Sequence, residues 1–284
     1  MVDHDTFPDI HKKTILNEVG IFEQQFSRFL PESEVNRFRT LKLGEYEISE
    51  RLSVMLERAM QLKGLTGGIY DPAIGGLLER AGYGMKSERA EKADPNDFVL
   101  PKWSLQGTVL TIDGPVVFDL GGIGKGFCID MAGSAIERLG YQYYLVEGGG
   151  DMYGTTKRDG SPYRVALEWP GKTGTAFGVV ELDHAGVAVS DSFRRRWPAS
   201  AKAGRDEKKW HHIIDPQAKK PIASIVGCAA LARNAFDADS MTSGLFLSPQ
   251  EKYEMLRGEL GAEYVVFRED ETITVSPHWP GELF

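Results

Sequence analysis

The chain has 284 residues, 42% of them hydrophobic and 26% charged, with a net charge of -8. That length supports a substantial buried core in one large domain or two small ones, and the acidic balance excludes non-specific nucleic-acid binding. Two cysteines, Cys128 and Cys228, lie inside apolar patterns and read as core residues, which excludes a disulfide framework or a cysteine metal cluster.

Residues 9–30 carry Leu16, Val19, Phe22, Phe26 and Phe29 at helical spacing, and the Leu30-Pro31 step ends that pattern. A second helix follows with Ile48, Leu52, Met55, Ala59 and Leu62 on its apolar stripe, stopped by Gly64. The turn-rich stretch Thr66 to Pro72 leads to a short helix through Ile74, Leu77 and Leu78, ending at Gly82-Tyr83-Gly84. The charged residues 85–97 read as a surface excursion. Strands are predicted at Val109 to Ile112 and Val116 to Leu120, with Asp113-Gly114 as the hairpin turn between them. A helix opening near Gly126 carries Phe127, Met131, Ala135 and Leu139 and stops at Gly140. Further strands are expected at 143–146, 163–169, 176–183, 186–190 and 224–233, with a polar loop over 191–209. Helices over 236–247 and 249–259 and a terminal hairpin, 264–267 with 272–275, complete an α+β pattern of antiparallel strands with helices packed on one side of a sheet. No apolar run reaches membrane-spanning length. The start Met1 to Asp5 lacks the basic and apolar segments of a signal peptide, which fits an intracellular protein or one without its targeting segment.

Chemistry concentrates in a few stretches. Phe118 to Phe127 places four glycines in six positions between Asp119 and a predicted helix start, with Lys125 among them. Backbone amides of such a loop, a helix N-terminus and one ammonium suit a phosphate group. The loop is not a Walker A, because Gly126 follows Lys125, nor a Rossmann fingerprint, because position 127 is Phe. Glu147-Gly148-Gly149-Gly150-Asp151 repeats the combination of small backbone and carboxylate at the end of the next strand. Asp239 and Ser243, four apart on a helix, share one face and offer two oxygens to a hard cation such as Mg²⁺; capping or hydration of a helix start is the plainer alternative. Of His211 and His212, one suits a base or a ligand hydrogen bond, against the alternative of a turn histidine satisfied by backbone. No nucleophile motif and no paired catalytic carboxylates appear.

Taken in order, these stretches resemble the FAD:protein FMN transferase family, from about Phe26 to Phe246. The residues carrying the resemblance are Phe26-Ser27-Arg28-Phe29 with Ser33-Glu34, Gly68 to Pro72, Gly82-Tyr83-Gly84, Asp119 to Gly126, Gly149-Gly150-Asp151, Ser190, His212 to Pro216, and Ala238-Asp239 to Ser243. The resemblance implies one flavin transferase-like domain over 1–284, of the tunnelling-fold type. It implies an enzyme that uses Mg²⁺ to cleave FAD, its substrate, and attach FMN to a threonine or serine hydroxyl of an acceptor protein, such as a flavinylated subunit of a membrane redox complex, with release of AMP. By position, Phe29, Ala81, Gly82, Tyr83, Asp119, Lys125 and Ile213 would contact FAD. The Gly122 carbonyl, Asp239, Ser243 and Thr242 would hold the metal, and His212, with Asp239, would assist transfer. Members of the family are often periplasmic or membrane-anchored; neither cysteine here is placed as a lipid anchor.

The chain departs from the family pattern in four places. The usual N-terminal strand with a Met-Gly-Thr segment is not found before Asp9, Ser243 stands where threonine is usual, Ala81 replaces a tryptophan, and Asp191 follows Ser190 where glycine is common. Two other activities fit the same residues: a Mg²⁺-dependent FAD pyrophosphatase that gives FMN and AMP, and a non-catalytic FAD-binding module.

Overall fold

The computed structural model describes residues 1–84, 94–197 and 210–284. Residues 85–93 of the predicted excursion and residues 198–209 of the predicted polar loop lie outside the described residues. The chain divides into two compact units: Met1–Phe22, Gly121–Asp191 and Ala223–Phe284 form the first, and Glu23–Leu120 with Ser192–Ile222 form the second.

In chain order the first half holds α1 (Asp9–Phe26), β1 (Gly44–Glu47), α2 (Glu50–Leu65), α3 (Gly75–Arg80), β2 (Trp103–Gln106), β3 (Val109–Ile112) and α4 (Gly124–Arg138). Then come β4 (Leu145–Gly148), β5 (Asp151–Gly154), β6 (Tyr163–Glu168), β7 (Ala176–Leu182), β8 (Ala185–Asp191) and β9 (Arg196–Trp197). The short pieces β10 (Trp210–His211), β11 (Ile214–Asp215) and β12 (Lys220–Pro221) precede β13 (Ile225–Ala232), α5 (Ala235–Phe246), α6 (Tyr253–Leu260), β14 (Glu263–Arg268), β15 (Ile273–Val275) and β16 (Glu282–Leu283). No helix among the described residues is long and apolar enough to cross a membrane.

The first unit is built on a six-stranded antiparallel sheet in the order β15-β14-β13-β8-β5-β4. Helix α5 packs on β8 and β13, and α4 packs on α5, on β4 and on β5, so these helices gather on one face as expected. The opposite face is covered by β6, β7 and β16, a second antiparallel sheet. Strand β6 shows why: Tyr163, Val165 and Leu167 are buried while Arg164 and Ala166 are exposed, a period of two that gives one apolar face. Strand β13, covered on both sides, is a run of small buried residues from Gly227 to Ala230. Ahead of α1, Val2 forms an antiparallel bridge with Tyr144, and Asp3 N donates to Tyr143 O at 2.8 Å.

In the second unit, β1, β3 and β2 form a three-stranded antiparallel sheet. Ser49 caps α2 by accepting from Leu52 N, and the predicted stripe Ile48, Leu52, Met55, Ala59 and Leu62 is buried throughout. Asp71 is a buried anchor: its Oδ1 accepts from Ala73 N and Trp103 Nε1, both at 2.9 Å, and its Oδ2 pairs with Lys63 Nζ at 2.7 Å.

Several predicted elements differ. The hairpin is made by β2 and β3, turning at Gly107, and Val116 to Leu120 is not a strand. Its amides and carbonyls pair with turn backbone instead: Val116 N with Phe38 O, Gly75 N with Val117 O and Asp119 N with Pro72 O. The first helix ends at Phe26, which leaves Phe29 beyond it, and Leu16 on its predicted apolar face is exposed. Helix α4 opens at Gly124, two residues early. The Glu147 to Asp151 cluster spans the tip of the unpredicted hairpin β4–β5, whose turn is Gly149 and Gly150 at φ 65 and 96, which glycine adopts without strain.

Candidate functional site

The predicted metal-side residues all belong to the first unit. Helix α5 is placed by its N-terminus. Asn234 caps it through Oδ1, which accepts from Asp237 N at 2.7 Å, and the Asp130 carboxylate on α4 accepts from Ala235 N and Phe236 N, each at 2.9 Å. Two contacts then run between the loop and α5. Gly126 N donates to Asp239 Oδ2 at 2.9 Å, and one turn later Ser243 Oγ donates to Gly122 O at 2.6 Å. The close approach requires Gly126: a Cβ there would lie 2.3 Å from Ala235 O and 2.8 Å from Asp239 Cβ.

A carboxylate, a hydroxyl and a main-chain carbonyl are thus gathered on the loop side of α5. All are hard oxygen donors, the chemistry of Mg²⁺ or Ca²⁺, and no group of three or more His, Cys, Asp or Glu residues able to hold a metal occurs among the described residues. A cation here would therefore take a single carboxylate from the protein and complete its shell with neutral oxygens, waters and ligand phosphates. The donor set fits Mg²⁺. Thr242 is fully buried; its Oγ1 donates to Asp239 O at 2.9 Å and accepts from Ser190 Oγ at 3.0 Å.

Lys125 Nζ pairs with Asp151 Oδ2, and Asp151 Oδ1 accepts from Val189 N at 3.1 Å. Burial pushes the Asp151 carboxyl up to about 6, the Asp239 charge adds to that, and Lys125 opposes it. Asp130 is also raised to about 6, mainly by burial, with Asp237 and Asp239 contributing and the two α5 amides opposing.

The predicted flavin-side residues Phe29, Ala81, Gly82, Tyr83, Asp119, His212 and Ile213 belong to the second unit. Three aromatic rings cluster around Tyr83. Trp197 stacks on it at 4.9 Å and 18°, Phe29 meets it edge-on at 6.1 Å, and His212 lies at 6.3 Å, tilted by 36°. Phe29 is 46% exposed, so a flat ring can reach it. Ala81 has its side chain in the core with Leu77, Phe98 and Trp210, and only its carbonyl takes part, accepting from Trp197 Nε1 at 2.6 Å. Asp119 accepts from Arg28 Nε at 2.5 Å.

The two histidines separate. His211 is buried, with Nε2 against Ile222 O at 2.8 Å and Nδ1 accepting from Ile213 N at 3.3 Å, and burial lowers its pKa. It closes the 211–222 hairpin, while His212 is the one beside Tyr83. Ile213 is tied into that hairpin, its carbonyl accepting from Ile222 N at 3.1 Å. Asp215 Oδ1 accepts from Gln217 N and Ala218 N, the turn expected before Pro216.

Sequence reasoning missed Trp197, Asp130 and the part played by Arg28. Trp197 and Asp130 reach partners more than a hundred positions away, beyond any local pattern. Arg28 was visible only as a member of the Phe26 to Phe29 motif.

Comparison with known proteins gives the family of the chain. A protein from Escherichia coli K12 named FAD:protein FMN transferase is 26% identical over 92% of this chain and 78% of its own length. One of the same name from Vibrio cholerae is 27% identical over 84% of this chain and 72% of its own. Among solved structures, the ApbE protein of Thermotoga maritima superposes with a TM-score of 0.80 at 23% identity, covering 96% of this chain and 91% of that one. The flavin transferase ApbE of Vibrio cholerae gives 0.79 at 22%, covering 96% and 90%. These two likenesses establish the fold of mixed helices and antiparallel sheets. Residues 2–266 match the family model, and the chain belongs to the ApbE family.

Proposed function

We propose that this chain transfers FMN from FAD to a threonine or serine hydroxyl of an acceptor protein, with release of AMP and with Mg²⁺ as the metal. The observation that carries the reading is the pair of contacts one helical turn apart, Asp239 to Gly126 N and Ser243 to Gly122 O, which gathers three oxygen donors on the glycine loop. The names of its relatives in Escherichia coli and Vibrio cholerae supply the reaction.

Asp239, Ser243 and the Gly122 carbonyl would hold the ion, with Thr242 fixing the turn between the first two. Mg²⁺, when bound, neutralises diphosphate charge and favours departure of the leaving phosphate. Lys125 gives the diphosphate a second positive group, and Asp151 holds that ammonium in place. Phe29, Tyr83, the Ala81-Gly82 backbone and Asp119 would hold the flavin nucleotide, with Ile213 beside His212. The acceptor oxygen bonds to the FMN phosphorus as the bond from that phosphorus to the bridging oxygen breaks. The bridging oxygen leaves on AMP, and His212 takes the hydroxyl proton. Such a transfer asks the protein for positioning and charge compensation and needs no nucleophile of its own, which suits the absence of a nucleophile motif.

The test is incubation of the full chain with FAD, Mg²⁺ and an acceptor domain carrying the target hydroxyl, read by in-gel flavin fluorescence and intact mass. Covalent FMN on the acceptor with stoichiometric AMP supports the reading. An unlabelled acceptor at saturating FAD refutes it, and FMN with AMP in the absence of acceptor would reassign the chain as a pyrophosphatase.

A further inference from the structure

Arg28 contacts three of the flavin-side residues of the second unit, Asp119, Phe29 and Tyr83. Its side chain is 3% exposed, against 16% for the Asp119 carboxylate it binds. Its Nε donates to Asp119 Oδ2 at 2.5 Å, its Nη2 donates to Tyr83 O at 3.3 Å, and its Nη1 lies 3.5 Å from Glu79 Oε1. The guanidinium carbon sits 4.4 Å from the Phe29 ring centre and 5.2 Å from that of Tyr83. Glu79 is in turn gripped by Arg39 through both oxygens, at 2.6 and 3.0 Å. Two guanidinium groups and two carboxylates therefore form one charge-balanced network. Asn36 Nδ2 ties down the Arg28 carbonyl at 2.7 Å, so the main chain of this residue is held as firmly as its side chain.

We infer that Arg28 is a positioning residue for FAD: too buried to meet the ligand, it sets the directions of Asp119, Phe29 and Tyr83, which do. The inference rests on the proposed flavin site. A planar fork can hold a carboxylate, a carbonyl and two ring faces together, whereas a lysine ammonium offers one point of attachment and no plane. Gly84 shows how closely the fork is packed, since a Cβ there would lie 2.5 Å from Arg28 Nη1.

Equilibrium titration of the full chain with FAD in Mg²⁺, followed by flavin fluorescence, tests the inference alongside thermal melting. Arg28→Lys preserves the charge balance and should raise the FAD dissociation constant by about tenfold, the effect of losing one charge-assisted hydrogen bond at a ligand-facing carboxylate. Leu52→Ala, a core truncation in α2 of the same unit, should lower the melting temperature and leave the dissociation constant at the wild-type value. In an Asp119→Asn background the Arg28→Lys effect on affinity should shrink, because the arginine acts through that carboxylate. If Arg28→Lys does not fold, Gly84→Ala displaces the guanidinium with all charges kept and should weaken FAD in the same way. Wild-type affinity in the folded arginine variant, or in Gly84→Ala in its place, overturns the inference and leaves the flavin reading standing. An equal loss of affinity in Leu52→Ala also overturns it, since the effect would then follow stability alone. No FAD binding by the wild-type chain overturns the reading and the inference together.

Discussion

Replacing Gly126 by alanine isolates the contact that seats α4 against α5. The new Cβ would stand 2.3 Å from Ala235 O, 2.7 Å from Ala235 C and 2.8 Å from Asp239 Cβ, and two of those three atoms are backbone with little room to yield. The helices must separate, which costs about 1–3 kcal/mol of overpacking strain, and the amide bond to Asp239 is lost for about 1.5–3 kcal/mol more. Alanine's better helix propensity offsets about 1 kcal/mol, leaving a net loss of about 3 kcal/mol. Urea unfolding of the two chains reads this as a lower midpoint. Gly20→Ala in α1 is the control: nothing lies within 4 Å of its Cβ, so the same substitution should stabilise by about 0.5–1 kcal/mol. An unchanged midpoint for Gly126→Ala would show that α4 and α5 do not rely on this approach, and the placement of Asp239 on the loop would fall with it.

Asp239→Asn keeps an oxygen to accept from Gly126 N but removes the carboxylate, so acceptor labelling should drop on the order of 100-fold while the urea midpoint stays close to wild type. A rate unchanged across a Mg²⁺ titration would contradict the assigned ligand. Trp197→Ala removes the stack on Tyr83 and the bond to Ala81 O, and should destabilise the chain by about 2 kcal/mol in thermal unfolding, with Trp197→Phe recovering the stacking part. For Asp130, burial raises the folded pKa from 3.8 to about 6, so the folded chain binds that proton more tightly than the unfolded one. Its contribution is present at low pH and lost as pH rises through 6, by up to about 3 kcal/mol between pH 4 and 7. Asp130→Asn should flatten that slope in unfolding measured across the range, and an identical slope in both chains would refute the assignment.

The elements legible in the sequence are those whose evidence is local. The α2 stripe repeats at helical spacing and is buried at every predicted position, and the alternation in β6 marks one face. Asp239 and Ser243 were readable as a pair because four residues make one turn. What failed was anything decided by a distant partner. Val116 to Leu120 has strand composition, but its hydrogen bonds go to Phe38, Gly75 and Pro72, which no window around it contains. Strand β5 was hidden because it starts at Asp151, directly after the turn glycines Gly149 and Gly150. Leu16 follows the helical period yet stays exposed, since periodicity marks a face without saying whether anything covers it. The bond from Trp197 Nε1 to the Ala81 carbonyl likewise joins residues that no local window contains.

The electrostatics of the first unit give a reason why Asp151, Asp239 and Lys125 occur together. Burial raises Asp151, the Asp239 charge adds to that and Lys125 meets only part of the deficit, which leaves Asp151 near 6. A lone, partly buried lysine beside a diphosphate would meet the phosphate charge directly but would be less well held and oriented in the unliganded chain. Pairing it with Asp151 keeps the ammonium charged and oriented, at the expense of an acidic excess around Asp239. Under the proposed function, a divalent cation on Asp239 would relieve that excess, and with one protein carboxylate in its shell it would leave most of its charge for the phosphates. The same arrangement would suit the neutral character of the other proposed donors, Ser243 and the Gly122 carbonyl. A second carboxylate there would bind the ion more tightly and polarise the diphosphate less.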